Sequence, residues 1–195
     1  APSDYVWFSY DIQLLVLEFW DAVAFYDPFT GTDGDPPDPL NWLDISSGSS
    51  YIEIWDNKLH QVLVSGTFTS AGVQLVPDVG DEDFDVIVDY DIATGPAVDF
   101  WSLQFTANDN NNTLATIIRG YYADVVTGHQ YRTWEWDDGS GGYFGDILTS
   151  DVAGKLRITR VGTTWTTYYW NGSAWIQNHQ FTQTTSLDNV TITIR

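Results

Sequence analysis

From residue 51 onward, apolar and polar positions alternate in short runs: 51–55, 60–66, 71–77, 83–92, 97–106, 114–125, 129–136, 155–162, 163–170, 174–182 and 190–195. A period of two marks a strand with one dry face and one wet face, so these eleven runs predict eleven strands. The clusters GDED, TGP, NDNNN, DDGSGG and NGS separate them with turn-forming residues, and GSGG at 139–142 reads as a hairpin loop. Many short strands with frequent turns and no convincing helical period predict an antiparallel sandwich. The cleanest strand is 83–92, where Phe84, Val86, Val88, Tyr90 and Ile92 face one way and Asp83, Asp85, Asp89 and Asp91 the other. Its acidic row is either a solvated face or a ladder for cations.

Residues 5–26, YVWFSYDIQLLVLEFWDAVAFY, break the alternation by being apolar nearly throughout. Asp4, Asp11 and Glu18 recur every seven residues, which on a helix would draw one acidic stripe, while the β-branched and aromatic content suits a strand. Such a segment either supplies a strand to the domain's own core or forms an arm, residues 1–26, that buries itself in a protein partner or a second copy of the chain. Between it and the alternating region lies DPFTGTDGDPPDPLNW, residues 27–42, whose glycines and prolines predict a stiff polar loop.

Composition narrows the partners. With ten Trp, eleven Tyr and ten Phe in 195 residues, burial can offset the entropy of ordering, and the chain folds. The net charge is -20, with 19 acids and one base in residues 1–99 against 8 acids and 6 bases in 100–195. That surface repels phosphate backbones, so nucleic acid is not an expected partner. No uncharged run reaches the roughly 18 residues of a membrane helix, so membrane insertion is not expected either. Without cysteine there is neither a disulfide framework nor a thiolate metal site. The start at Ala1-Pro2 is what removal of an initiator methionine or of a signal peptide would leave.

Two stretches resemble a known family. DPFTGTDGDPPDPLNW followed by YIEIWDNKL, and GKLRITRVGTTWTTYYWNGSAW with SLDNVTITI, are similar to the opening and closing portions of concanavalin A-like jelly-roll domains of the lectin, glucanase and laminin G type. The resemblance covers roughly residues 27–195. It implies an all-β, two-sheet antiparallel β-sandwich with an N-terminal extension, residues 1–26, outside the domain. Family members often bind structural calcium near their first and last strands, and the carboxylates at matching places here are Asp27, Asp33, Asp35 and Asp188, hard oxygen ligands that suit Ca²⁺.

The same resemblance raises glycoside hydrolysis, because jelly-roll glucanases carry E-x-D-x-x-E on one strand. The nearest match is TWEWDDG, where Glu135 and Asp137 share a strand face about 6.6 to 7 Å apart, but Gly139 and Ser140 stand where the second glutamate belongs. Hydrolysis requires two placed carboxylates, so the expectation is a protein that is not an enzyme. His60, His129 and His179 accompany no G-x-S-x-G elbow or His-Glu-x-x-His helix.

Binding is the stronger expectation. Trp134 and Trp136 fall on one face of their strand with Arg132, flanked by Glu135 and Asp137, and Tyr121 precedes a turn. Sugars stack their C–H faces on exposed rings while neighbouring polar groups take the hydroxyls, so these residues are glycan-binding candidates; as plain core fillers they would face inward instead. Asn111, Asn171 and Asn189 head N-x-S/T sequons, which would mark surface loops in a eukaryotic secreted protein. The expected function is a non-enzymatic exposed structural or adhesion module of a larger assembly, such as a virion decoration protein, that takes glycans. The alternatives are a secreted lectin-like domain and a β-glycanase or polysaccharide lyase. The location is then a virion surface or the extracellular space.

Overall fold

The computed structural model describes residues 7–19, 22–64, 70–76, 79–94, 102–109, 112–122, 127–137, 140–184, 187 and 189–195. Among them the chain is all-β and folds as two antiparallel sheets packed face to face. One sheet holds β1 (Trp7–Phe19), β2 (Ala22–Asp27), β4 (Tyr51–Trp55), β5 (Lys58–Val64), β7 (Phe84–Thr94), β12 (Ala153–Val161), β13 (Thr164–Trp170) and β14 (Trp175–Thr182) in the order β14-β13-β12-β7-β1-β5-β4. The other holds β3 (Trp42–Asp44), β6 (Val73–Leu75), β8 (Ser102–Asp109), β9 (Asn112–Tyr122), β10 (Gly128–Asp137), β11 (Ser140–Leu148) and β15 (Val190–Ile194) in the order β11-β10-β9-β8-β15-β6-β3.

Alternation places the core between the sheets. Val86, Val88, Leu156, Ile158 and Trp165 from the first sheet are sealed against Phe105, Ile117, Tyr131, Ile192 and Ile194 from the second, and each such aliphatic burial contributes about 1.5 to 3 kcal/mol. On the far face of β7 the acidic row is met by cations from β12: Arg157 grips both carboxylate oxygens of Asp85, and Lys155 Nζ reaches Asp89 at 2.7 Å. Asp85 and Asp89 of β7 thus serve the sheet's own cross-strand pairing.

Residues 7–19, read from sequence either as a strand of the domain's own core or as an arm, form a central strand. β1 pairs with β7 along its length on one side, while on the other its first half pairs with β5 and its second half with β2. A strand flanked on both edges has its backbone donors and acceptors satisfied in the sheet, and Ile12 within it is fully buried. This placement puts β1 and β2 in one sheet with strands from the rest of the chain.

The Asp/Gly/Pro loop closes over the same sheet. Asp27 takes the Trp42 indole N–H and the Phe29 amide, each at 2.7 Å, and Phe29, buried and at φ 51°, sets its ring 5.1 Å from that of Trp42. Gly34 donates to the Ile54 carbonyl and Ile54 donates to the Asp35 carbonyl, so the loop covers part of the exposed edge of β4, a usual protection for an edge strand. Asp56 and Asn57, both with positive φ, make the two-residue turn that joins β4 to β5.

Polar groups also cross between the sheets. Tyr90 of β7 and Tyr131 of β10 share a hydrogen bond, Tyr131 donates to Asp151, and the Arg119 guanidinium donates twice to the Asp151 carbonyl. Nearer the open edge, Thr133 meets Thr167 and donates to Asn178 Oδ1, while Asn178 Nδ2 donates to the Gly145 carbonyl.

Candidate functional site

The outward face of the second sheet carries a groove of about 190 Å³ lined by Gln104, Thr106, Asn108, Thr116, Ile118, Trp134, Tyr143, Thr193 and Arg195. Its floor follows from register. Each strand puts its odd or even set inward, so Phe105, Ala107, Ala115, Ile117, Ile192 and Ile194 enter the core and the intervening residues face the groove. Thr193 pairs with Thr106, Thr106 with Thr116, Thr116 with Trp134 and Trp134 with Tyr143. These five residues form one row running across β15, β8, β9, β10 and β11, about 19 Å long at the usual strand spacing. A second row runs beside it: Arg195 exchanges both backbone hydrogen bonds with Gln104, which pairs with Ile118, which pairs with Arg132.

The row is ordered by its own contacts. Thr106 and Thr116 share a hydroxyl hydrogen bond of 3.0 Å, Asn108 Nδ2 donates to Thr193 Oγ1, and the Trp134 and Tyr143 rings meet edge-on at 4.7 Å. Glycine completes it at position 141, where a Cβ would lie 2.6 Å from Trp134 Cζ2 and 2.8 Å from Trp136 Cε3. Both indoles therefore cross the β11 backbone at a point where no side chain can stand. This explains why SGGYFGDIL is a strand although its glycines read as a hairpin loop: the sequence expectation at 139–142 yields to a close approach that only glycine permits.

Of the residues singled out from sequence, Trp134 lies in the groove. Trp136 is on the same face, 37% exposed, with its carbonyl accepting from Gln183 Nε2. Arg132 shares that face but is only 1% exposed: its guanidinium lies between the Tyr122 and Tyr143 rings, 4.5 and 4.4 Å from their centroids, and Nε donates to Asp146 at 2.7 Å. Arg132 supports the groove wall and does not present its charge to a ligand, which corrects its expected role. Glu135 and Tyr121 are separated from the groove by the sheet itself. Glu135 turns to the opposite face of β10 and bonds His179 Nε2 at 2.7 Å, with the Phe144 ring stacked on that imidazole, and Tyr121 packs edge-on against His129. The Asp137 side chain lies outside what the structure describes.

The expected calcium ligands are placed apart in function. Asp27 holds Trp42 and Phe29, Asp33 accepts from the Asp56 amide at 2.8 Å, and Asp35 is exposed and acts through its carbonyl. Asp188 lies outside the described residues. Among the described residues no three His, Cys, Asp or Glu gather as metal ligands would.

Sequence reasoning passed over Gln104, Thr106, Asn108, Thr116, Tyr143, Thr193 and Arg195. The available signal was the polar half of each alternating run, but which polar residues become neighbours depends on strand order. No family model, curated protein or solved structure matches this chain.

Proposed function

We propose that this protein is a non-catalytic carbohydrate-binding β-sandwich, an exposed adhesion module whose ligand lies in the groove across β15, β8, β9, β10 and β11. The row of Thr193, Thr106, Thr116, Trp134 and Tyr143 carries the reading. It sets the Trp134 and Tyr143 rings, on which a pyranose can stack, beside a floor of buried threonines, and the half-buried Gln104 and Asn108 amides of the same lining can exchange hydrogen bonds with its hydroxyls, the mixed lining that small-ligand sites require. The residues lining the groove include no Asp or Glu, whereas glycoside hydrolysis needs two placed carboxylic side chains, which favours binding over hydrolysis. Docking of the module in an assembly draws no support from residues 7–19, since that strand is taken up in the sheet.

A glycan array probed with the intact chain tests the reading. Binding to a defined set of oligosaccharides is expected, lost in Trp134→Ala while the β-type circular dichroism spectrum is kept. A wild-type chain that binds no glycan, or a Trp134→Ala chain that binds as before, overturns it.

A further inference from the structure

Seven cationic side chains face 27 carboxylates in this sequence, and six of the seven are engaged. Arg132 pairs with Asp146, Lys155 with Asp89, Arg157 with Asp85 and Arg160 with Asp81. Arg119 donates to the Asp151 carbonyl, and Lys58 has a partner as well. Among the described residues, Arg195 is the one cation with neither an ion pair nor a side-chain hydrogen bond, and it is exposed on the wall of the groove. Its backbone is locked to Gln104 by hydrogen bonds of 2.7 and 2.9 Å, and the side-chain stem lies over Gly72, where a Cβ would come within 2.8 Å of Arg195 Cγ.

The Arg195 guanidinium is thus the one charged side chain among the residues lining the groove. Interactions beyond about 8 Å are largely screened at physiological salt, so the groove's own lining decides what it accepts. A guanidinium presents a planar fork of donors that matches a carboxylate or sulfate group in two parallel hydrogen bonds.

We infer that the groove takes an anionic oligosaccharide, its sugar ring stacked on Trp134 and its carboxylate or sulfate group held by Arg195. This rests on the carbohydrate-binding reading above and adds the ligand's charge to it. Arg195 and Trp134 lie in neighbouring rows on strands three apart, β15 and β10, about 14 Å at the usual spacing. The anionic group and the stacked ring therefore belong to different units of the same oligosaccharide.

Titration calorimetry on the intact chain tests this with three probes: a uronate tetrasaccharide, its methyl ester, and a sulfated neutral tetrasaccharide. The uronate or the sulfated probe is expected to bind about tenfold more tightly than the ester, the worth of a charge-assisted hydrogen bond; which of the two prevails identifies the anion. Arg195→Gln should remove that preference, bringing the acid and sulfated probes down to the affinity of the ester, while Trp134→Ala should weaken all three. The preference should shrink as sodium chloride rises from about 50 to about 500 mM. Equal affinity for ester and acid in the wild type, or a preference that survives Arg195→Gln, overturns the inference and leaves the carbohydrate reading standing. Failure of all three probes, together with an array showing no glycan binding, overturns both.

Discussion

The hydroxyls of Tyr90 and Tyr131 meet at 2.8 Å between the two sheets, one from each. Both residues are buried, at 1% and 0% exposure, and burial raises both phenols above their ordinary value, with the neighbouring Tyr90 adding to the effect on Tyr131. The native state therefore keeps both protons where an unfolded chain would lose them, near pH 10. Below that pH the contribution to stability is complete. Above it the unfolded state binds fewer protons than the native one, so stability falls as pH rises. Thermal melts from about pH 8 to about pH 11 should show this decline. Tyr131→Phe should lower stability at pH 8 by about 1 to 3 kcal/mol, because Tyr90 loses its partner, and should flatten the alkaline slope. A variant with the wild-type slope would show that the pair does not set it.

Gly141 makes a separate prediction about the groove. A methyl group there would enter the space of both indoles, 2.6 Å from Trp134 and 2.8 Å from Trp136, with the Glu135 carbonyl at 3.1 Å. Since backbone and two packed rings cannot all yield cheaply, Gly141→Ala should cost about 1 to 3 kcal/mol in urea unfolding. It should also shift the tryptophan emission spectrum and weaken glycan binding, because Trp134 is displaced. Gly172→Ala is the control for added bulk: a Cβ at that position meets nothing within 4 Å, although its φ of +92° carries some strain. An unchanged spectrum in Gly141→Ala would mean that glycine is not what positions the indoles.

These residues also show which parts of the molecule are legible in one dimension. β7 and β12 read directly as strands because one face of each is dry and the other charged, and the structure pairs those charges across the ladder. β1 does not, because a strand hydrogen-bonded on both edges and apolar nearly throughout loses the alternation that would identify it. β11 is hidden by glycines that read as turn residues yet are required where Gly141 passes under two indoles. The groove is the least legible element. Its row runs perpendicular to the chain through Thr193, Thr106, Thr116, Trp134 and Tyr143, and adjacency across strands is a product of sheet order. Trp134 alone could be proposed in advance, since an aromatic on the wet face of an alternating run lacks a reason to be there unless it is covered or used.

The Asp27 carboxylate predicts an asymmetry among the loop acids. It satisfies the indole N–H of buried Trp42 as well as the Phe29 amide, whereas Asp33 accepts one exposed amide from the β4–β5 turn. Hydrogen bonds to a charged acceptor are worth about 1.5 to 3 kcal/mol, and a buried donor left without one costs as much again in desolvation. Asp27→Ala should therefore lower stability by about 2 to 3 kcal/mol, and Asp33→Ala by less than about 1 kcal/mol. Chemical denaturation of the two variants decides this. Equal effects would mean that the loop's attachment to the core does not run through Trp42.

The last prediction concerns acid. His129, at the start of β10, is held below the ordinary imidazole value first by burial and then by the positive charge of Arg119. In the unfolded chain the same ring takes up a proton near pH 6.5. Between that value and the lower native one, the unfolded state binds more protons, so stability rises with pH and is lost on acidification through this window. Tyr121 packs edge-on against the ring, which gives a neutral imidazole a place that a hydrated imidazolium would vacate. His129→Gln should remove this group's share of the decline between about pH 7 and pH 5 while keeping a polar side chain at the site. The comparison is the difference between wild-type and variant unfolding free energies at the two pH values, so contributions common to both chains cancel. If that difference is the same at both pH values, His129 is not linked to folding, and the packing of Arg119 and Tyr121 around it has no consequence for its protonation.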